Sequence, residues 1–111
     1  MNLESRDSGA TRVVAVREER IDAAVAIRFK DLMREQSGDA PPRIVLDLGD
    51  VGFIDSSGLG AIVAAMKQMD GRRLELAAVT PAVDKVFRLT RIDRIFTIHP
   101  SVEAALAAPA G

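Results

Sequence analysis

Apolar residues recur along this chain with two spacings, and the alternation between them predicts its elements. Residues 11–18 (TRVVAVRE), 43–48 (RIVLDL, after two prolines), 73–79 (RLELAAV) and 95–98 (IFTI) are short runs rich in Val, Ile and Leu, and read as strands. Between them the spacing lengthens to that of a helix. Val25, Phe29 and Leu32, with Ala26 and Met33 beside them, form one apolar face, and Leu59, Ile62, Val63, Met66 and Met69 form another over 58–69. Val83, Val86, Phe87 and Leu89 give a short third helix its buried side, and 100–107 is a final alanine-rich helix.

The punctuation agrees with this division. Asp22 is placed to cap the first helix, and 37–42 (SGDAPP) stops it. Gly49 to Phe53 reads as a turn, and Asp70-Gly71 ends the second helix. Thr80-Pro81 reads as a cap followed by proline at the first helical position, where its missing N–H costs nothing. Strands alternating with helices of this length imply α/β architecture with a mainly parallel sheet of four or five strands and about four α-helices. Residues 1–10 are an N-terminal segment in which 2–6 can add a short edge strand; 11–107 form the domain, and 108–111 a flexible tail.

Composition narrows the chemistry. At 111 residues the chain supports one core, and 15 Lys plus Arg against 16 Asp plus Glu leave no cationic excess for a phosphate backbone. Four Phe with no Trp or Tyr cannot build a base-stacking platform, so nucleic acid is not an expected partner. With no Cys and the single His99, no metal site and no cofactor are expected. The polar start is no secretory signal and no window approaches the roughly 20 apolar residues of a membrane span, so the expected location is cytoplasmic, away from the membrane.

The informative segment is Asp55-Ser56-Ser57-Gly58-Leu59-Gly60, where a loop becomes a helix. The start of a helix presents unpaired amides that favour an anion, so a phosphoryl group on Ser56 or Ser57 is tolerated there. The glycines at 58 and 60 let another molecule approach the backbone. Equally, either serine can simply cap the helix. Positions away from the apolar stripe include Ala61, Ala64, Ala65 and Gln68, a low-relief face that suits a protein partner. Enzymatic readings lack support. Val63 stands where a dinucleotide fingerprint needs its third glycine, no Gly-Lys-Ser/Thr follows, and the serines are not framed as G-x-S-x-G. A Ser-His-Asp triad would have to recruit His99, and Asp22, Asp47, Asp50 and Asp55 read as caps and turn-formers.

The octapeptide from Phe53 to Gly60 resembles the signature loop of STAS domains, most closely the bacterial anti-sigma factor antagonists of the stage II sporulation protein AA type. Ile21-Asp22, 44–48 (IVLDL), 79–83 (VTPAV) and 96–106 (FTIHPSVEAAL) fall in the family's order, so the resemblance covers about 11–106. It implies the STAS fold and a partner switch without catalysis by this chain. The unphosphorylated form would bind an anti-sigma factor that is also a GHKL-type serine kinase, freeing a sigma factor. Phosphorylation of Ser56 would end the binding, and a PP2C-type phosphatase would restore the serine. Asp55 would orient the acceptor hydroxyl and Ser57 would shape and cap the helix start. Asp22, Asp55, Ser56, Ser57, Gly58, Leu59, Gly60, Ala61 and Ala64 would make the partner surface.

Two departures stand out. Glu19-Arg20 precede Ile21 where the family usually has a glycine, and Thr90-Arg91-Ile92-Asp93 replaces a usual Ser/Thr-Gly-Leu. The alternative function is a non-phosphorylated STAS accessory subunit of a lipid or anion transport complex. A monomer is the simpler expectation, with a weak dimer as the alternative.

Overall fold

The computed structural model of the chain describes residues 1–38, 41–69 and 71–108. The chain opens with a hairpin of β1 (Leu3–Ser8) and β2 (Thr11–Val16), antiparallel in register from Leu3↔Val16 to Ser8↔Thr11. There follow β3 (Arg20–Ile21), α1 (Ala26–Ser37), β4 (Arg43–Asp47), β5 (Phe53–Ile54) and α2 (Ser56–Lys67). The second half adds β6 (Arg73–Ala77), α3 (Pro81–Leu89), a 3-10 turn (Ile92–Arg94), β7 (Ile98–His99) and α4 (Val102–Ala107). The main sheet has five strands in the order β1-β2-β4-β6-β7, and every pairing after the first hairpin is parallel. Parallel neighbours need a crossover, and α1, α2 and α3 lie in those connections.

The central strands are buried on both faces, which is why Ile44-Val45-Leu46 reads as an unbroken apolar run rather than an alternation. One face carries Val14, Val16, Ile44, Leu46, Leu74 and Leu76 and packs against Phe29 and Met33 of α1, Ile62 and Ala65 of α2, and Val83 and Phe87 of α3. The other carries Val13, Val45 and Ala77 under Val102 and Ala105 of α4.

Several expected elements shift. Asp22 does not cap α1: its Oδ1 accepts the Ala24 N–H at 3.1 Å and its carbonyl accepts the Val25 N–H at 3.1 Å, closing a turn that delays the helix to Ala26. Phe53 is not part of a turn. Phe53–Ile54 pairs in parallel with Arg20–Ile21 as a separate two-stranded sheet that no run of four apolar residues announces. The last strand is Ile98–His99 rather than 95–98, because Ile92–Arg94 wind into the 3-10 turn and leave Ile95 51% exposed as its cap. Leu89, expected in the core, is 75% exposed. Thr80 stands at the cap of α3, but its hydroxyl donates to the Val51 carbonyl at 2.7 Å instead of capping. Asp39, Ala40 and Asp70 of the expected helix stops, and Pro109 to Gly111 of the expected tail, lie outside the described residues.

Candidate functional site

The loop singled out by the sequence lies where β5 becomes α2, and its geometry starts from the small sheet. The Asp55 N–H donates to the Ile21 carbonyl at 3.3 Å, which carries the β3–β5 pairing up to the helix start. Gly58 lies so close to β3 that a Cβ there would clash with the Ile21 carbonyl oxygen and stand 2.8 Å from Ile54 Cγ1. Only glycine lets the first turn of α2 sit on this strand. Gly60 has open space at its Cβ position.

Asp55 is the cap. Its Oδ1 accepts the Gly58 N–H at 2.9 Å, and its Oδ2 accepts the Ala23 N–H at 3.2 Å, tying the helix start to the turn after β3. A carboxylate at this position also complements the positive end of the helix. The cap therefore belongs to the aspartate, and neither serine performs it. Asp55 is engaged with backbone amides and makes no bond to the Ser56 hydroxyl. Ser56 and Ser57 occupy the first turn, both exposed, and neither hydroxyl has a hydrogen-bond partner among the described residues.

The expected surface divides by burial. Ser56, Ser57 and Gly60 are exposed, and Asp22, Asp55 and Ala64 are half-buried. Gly58, Leu59 and Ala61 face inward, as does Ala65, so they shape the site from below and are not available to a partner. The alanines at 61 and 65, expected on an outer face, instead join the core cluster shared by α1 and α2. The outward stripe of α2 is Ser56, Gly60, Ala64 and Lys67, at helical spacing.

Two neighbours of the loop meet in a contact that the sequence does not show. Phe53 is 40% exposed, and the Arg20 guanidinium lies over its ring at 4.1 Å. Arg20 Nε also reaches Asp22 Oδ2 at 3.4 Å. An exposed aromatic two residues before the cap, with an arginine one strand away, is visible only once the β3–β5 register is known.

A second polar centre lies on the opposite face of the sheet. Glu75 and Arg43 are buried to 2% and 3% exposure, and Glu75 Oε1 accepts from Arg43 Nη2 at 2.6 Å, from Arg43 Nε at 3.1 Å and from His99 Nε2 at 2.7 Å. Arg73 pairs with the other carboxylate oxygen, and Arg43 Nη2 also donates to the Ala105 carbonyl of α4 at 2.8 Å. Burial alone would raise the Glu75 pKa, but hydrogen bonds from Arg43 and His99 and the charges of Arg43 and Arg73 outweigh it and hold the carboxyl below its ordinary value. His99 is thus a partner of Glu75 on the α4 side, while Ser56 opens a helix on the other side. They form no triad. Among the described residues no group of three His, Cys, Asp or Glu is placed to hold a metal ion, and no helix is long and apolar enough to cross a membrane.

Comparisons with known proteins fit this geometry. The family model described as the STAS domain matches residues 2–105. A protein named as a putative anti-sigma factor antagonist, BtrV of Bordetella bronchiseptica, is 32% identical over 90 residues, covering 79% of this chain and 78% of its own length. The crystal structure of an anti-sigma factor antagonist from Mycobacterium paratuberculosis superimposes with a TM-score of 0.84 at 27% identity, covering 95% of this chain and 90% of that one. SpoIIAA in its unphosphorylated form (TM-score 0.74, 19% identity, 95% and 93% covered) shares the fold. So does a sulfate transporter family protein from Wolinella succinogenes (TM-score 0.76, 17% identity, 88% and 83% covered).

Proposed function

The chain belongs to the STAS domain family, and from that premise we propose that it is an anti-sigma factor antagonist switched by phosphorylation of Ser56. It is a regulatory member of a non-enzymatic family. Unphosphorylated, it binds an anti-sigma factor that is also a GHKL-type serine kinase, so that a sigma factor is released in the cytoplasm. The kinase, which brings its own ATP and magnesium, transfers the γ-phosphoryl group to the Ser56 oxygen, and the hydroxyl proton and ADP leave. A PP2C-type phosphatase returns the serine by hydrolysis. The names of BtrV and of the mycobacterial structure support the antagonist role.

One observation carries the choice of this loop: because Asp55 takes the cap, the Ser56 hydroxyl is exposed and has no hydrogen-bond partner among the described residues, at the first turn of a helix. A phosphoryl group there adds about −1.5 to −2 charges that the helix amides accommodate, so the fold is kept. The same charge stands beside Asp55, on the outward stripe with Gly60 and Ala64. A partner surface complementary to a hydroxyl then faces concentrated negative charge, at a cost of several kcal/mol. That changes affinity by orders of magnitude without a change of fold.

The test is site mapping by mass spectrometry after incubating the pure protein with ATP and lysate of its native cells. One phosphoryl group on Ser56, absent from Ser56→Ala and retained in Ser57→Ala, is the expected result. No phosphorylation, with transporter subunits co-purifying, would favour the accessory-subunit function instead.

A further inference from the structure

We propose that the ridge formed by α3 and the following 3-10 turn docks the carboxylate-rich end of a second copy of this chain, so that molecules associate head to tail. The ridge has a regular composition. Cations stand at Lys85, Arg88, Arg91 and Arg94, spaced by three; of the interleaved apolar residues, Val86 and Ile92 pack against the core, and Leu89 and Ile95 face outward. Leu89 is 75% exposed and Ile95 51% exposed, beside a depression of about 390 Å³ lined by Arg88, Leu89, Arg91, Asp93 and Arg94. Arg88 is held by Asp84 at 2.8 Å, whereas Arg91 and Arg94 have no side-chain partner among the described residues.

Arg91 is the strongest sign that this surface has a use. It follows the α3 cap at φ 65°, in the left-handed region. Glycine adopts that conformation freely, while a residue with a Cβ is strained in it. The chain carries an arginine where folding alone favours glycine, and that arginine's side chain binds nothing among the described residues. A strained residue held without an internal reason points outward.

The complementary surface lies at the carboxyl ends of the strands, where α3 begins and packs against β5; Arg88, Arg91 and Arg94 lie toward the far end of the ridge. β2, β4 and β6 are parallel, so Glu18 and Glu19 after β2, Asp47 and Asp50 at the end of β4, and Asp22 and Asp55 beside β3 and β5 gather at the carboxyl ends of the strands. There Asp50 pairs with Arg17, Asp22 pairs with Arg20, and Asp47 and Asp55 accept backbone amides, while Glu18 and Glu19 have no ion pair among the described residues; Phe53, 40% exposed beneath the Arg20 guanidinium, supplies an apolar centre. The 3-10 turn precedes β7, which is parallel to β6, and so lies at the amino ends. Opposite charge and an apolar anchor on two separate surfaces make a heterologous contact that repeats as an open chain. Leu89 and Ile95 would be idle against a small phosphorylated ligand, and a ridge carrying Asp84 and Asp93 among its cations suits a protein surface better than a flat anionic bilayer. The contact requires no phosphorylation, but it covers Asp22 and Asp55 of the proposed kinase-binding surface, so a second copy and the kinase would compete for that end.

Sedimentation equilibrium of the pure full chain tests this against salt. The wild type should show an average mass rising with concentration above the 11.9 kDa monomer, and the rise should disappear between about 0.02 M and about 0.5 M salt as screening shortens the reach of charges. Arg91→Gly relieves strain, so it should melt no lower than wild type and still associate about tenfold more weakly. Arg94→Glu and Glu19→Ala should each be weakened alone, yet mixed together they should form a species that stops at two copies, because each retains the surface the other has lost and the two altered surfaces do not complement one another. A wild type that stays monomeric at low salt overturns the proposal, as does undiminished association of Arg91→Gly. Monomers that bind phosphatidylcholine–phosphatidylserine vesicles through Arg91 and Arg94 would overturn it too, in favour of a membrane.

Discussion

At the scale of single residues the proposed switch depends on which side chain takes the cap. Asp55 spends both carboxylate oxygens on backbone amides, at 2.9 and 3.2 Å, and this leaves Ser56 free to be modified. Asp55→Ala should therefore cost about 2 kcal/mol in urea unfolding, somewhat more than an ordinary cap, because the Ala23 tie is lost with it. Ser56→Asp should leave the melting temperature within about a degree or two of wild type while impairing kinase binding, and Ser56→Ala should bind at least as well as wild type and stay bound when ATP is added. The two glycines should separate cleanly. Gly58→Ala drives a methyl into the Ile21 carbonyl and should destabilise by about 2 kcal/mol or more, whereas Gly60→Ala meets open space and should be neutral or stabilising by up to about 1 kcal/mol. The Asp-Ser-Ser-Gly-Leu-Gly string marks the loop by itself, but all three polar residues in it are good caps. The choice of aspartate follows from the position of Ala23, which is remote in sequence.

At the scale of elements, long periodic segments were legible and short paired ones were not. The faces of α1 and α2 and the buried runs of β4 and β6 follow from apolar spacing, and Ile62 is fully buried as that spacing requires. β3 and β5 are two residues each and exist only because they pair with one another, so neither carries a pattern of its own. The reading of Ala61 and Ala65 as an outer face failed for a related reason: alanine fits a crowded helix–helix contact as well as an exposed surface, and α1 covers that side. The Arg43–Glu75–His99 centre was also invisible, since charged residues inside apolar strands read as breaks until the register joins them. It clamps α4 to the sheet through the Ala105 carbonyl. Arg43→Ala should cost about 3–5 kcal/mol by leaving Glu75 buried without its main partner. Glu75 titrates lower folded than unfolded, so its contribution is present above the ordinary glutamate value and is lost as pH falls through the depressed one. Between about pH 5 and pH 3 the melting temperature of wild type should drop more steeply than that of Glu75→Gln.

At the scale of the whole molecule, the central strands are covered on both faces, and the carboxyl ends of the strands are a place left for recognition. The carboxyl ends collect Asp22, Phe53, Asp55 and the two serines, and the helix that begins there offers a stripe of small residues. Nothing in this arrangement has to move for the proposed switch to operate. A phosphoryl group changes the charge of one surface on a fixed scaffold, which separates this account from an adaptor role in which Ser56 is a surface residue without consequence. The direct measurement is a pull-down from lysate of the native cells with wild type and Ser56→Asp as paired baits. A GHKL-type serine kinase should be recovered by wild type and be absent with Ser56→Asp. The same proteins recovered equally by both baits, transporter subunits among them, would contradict it.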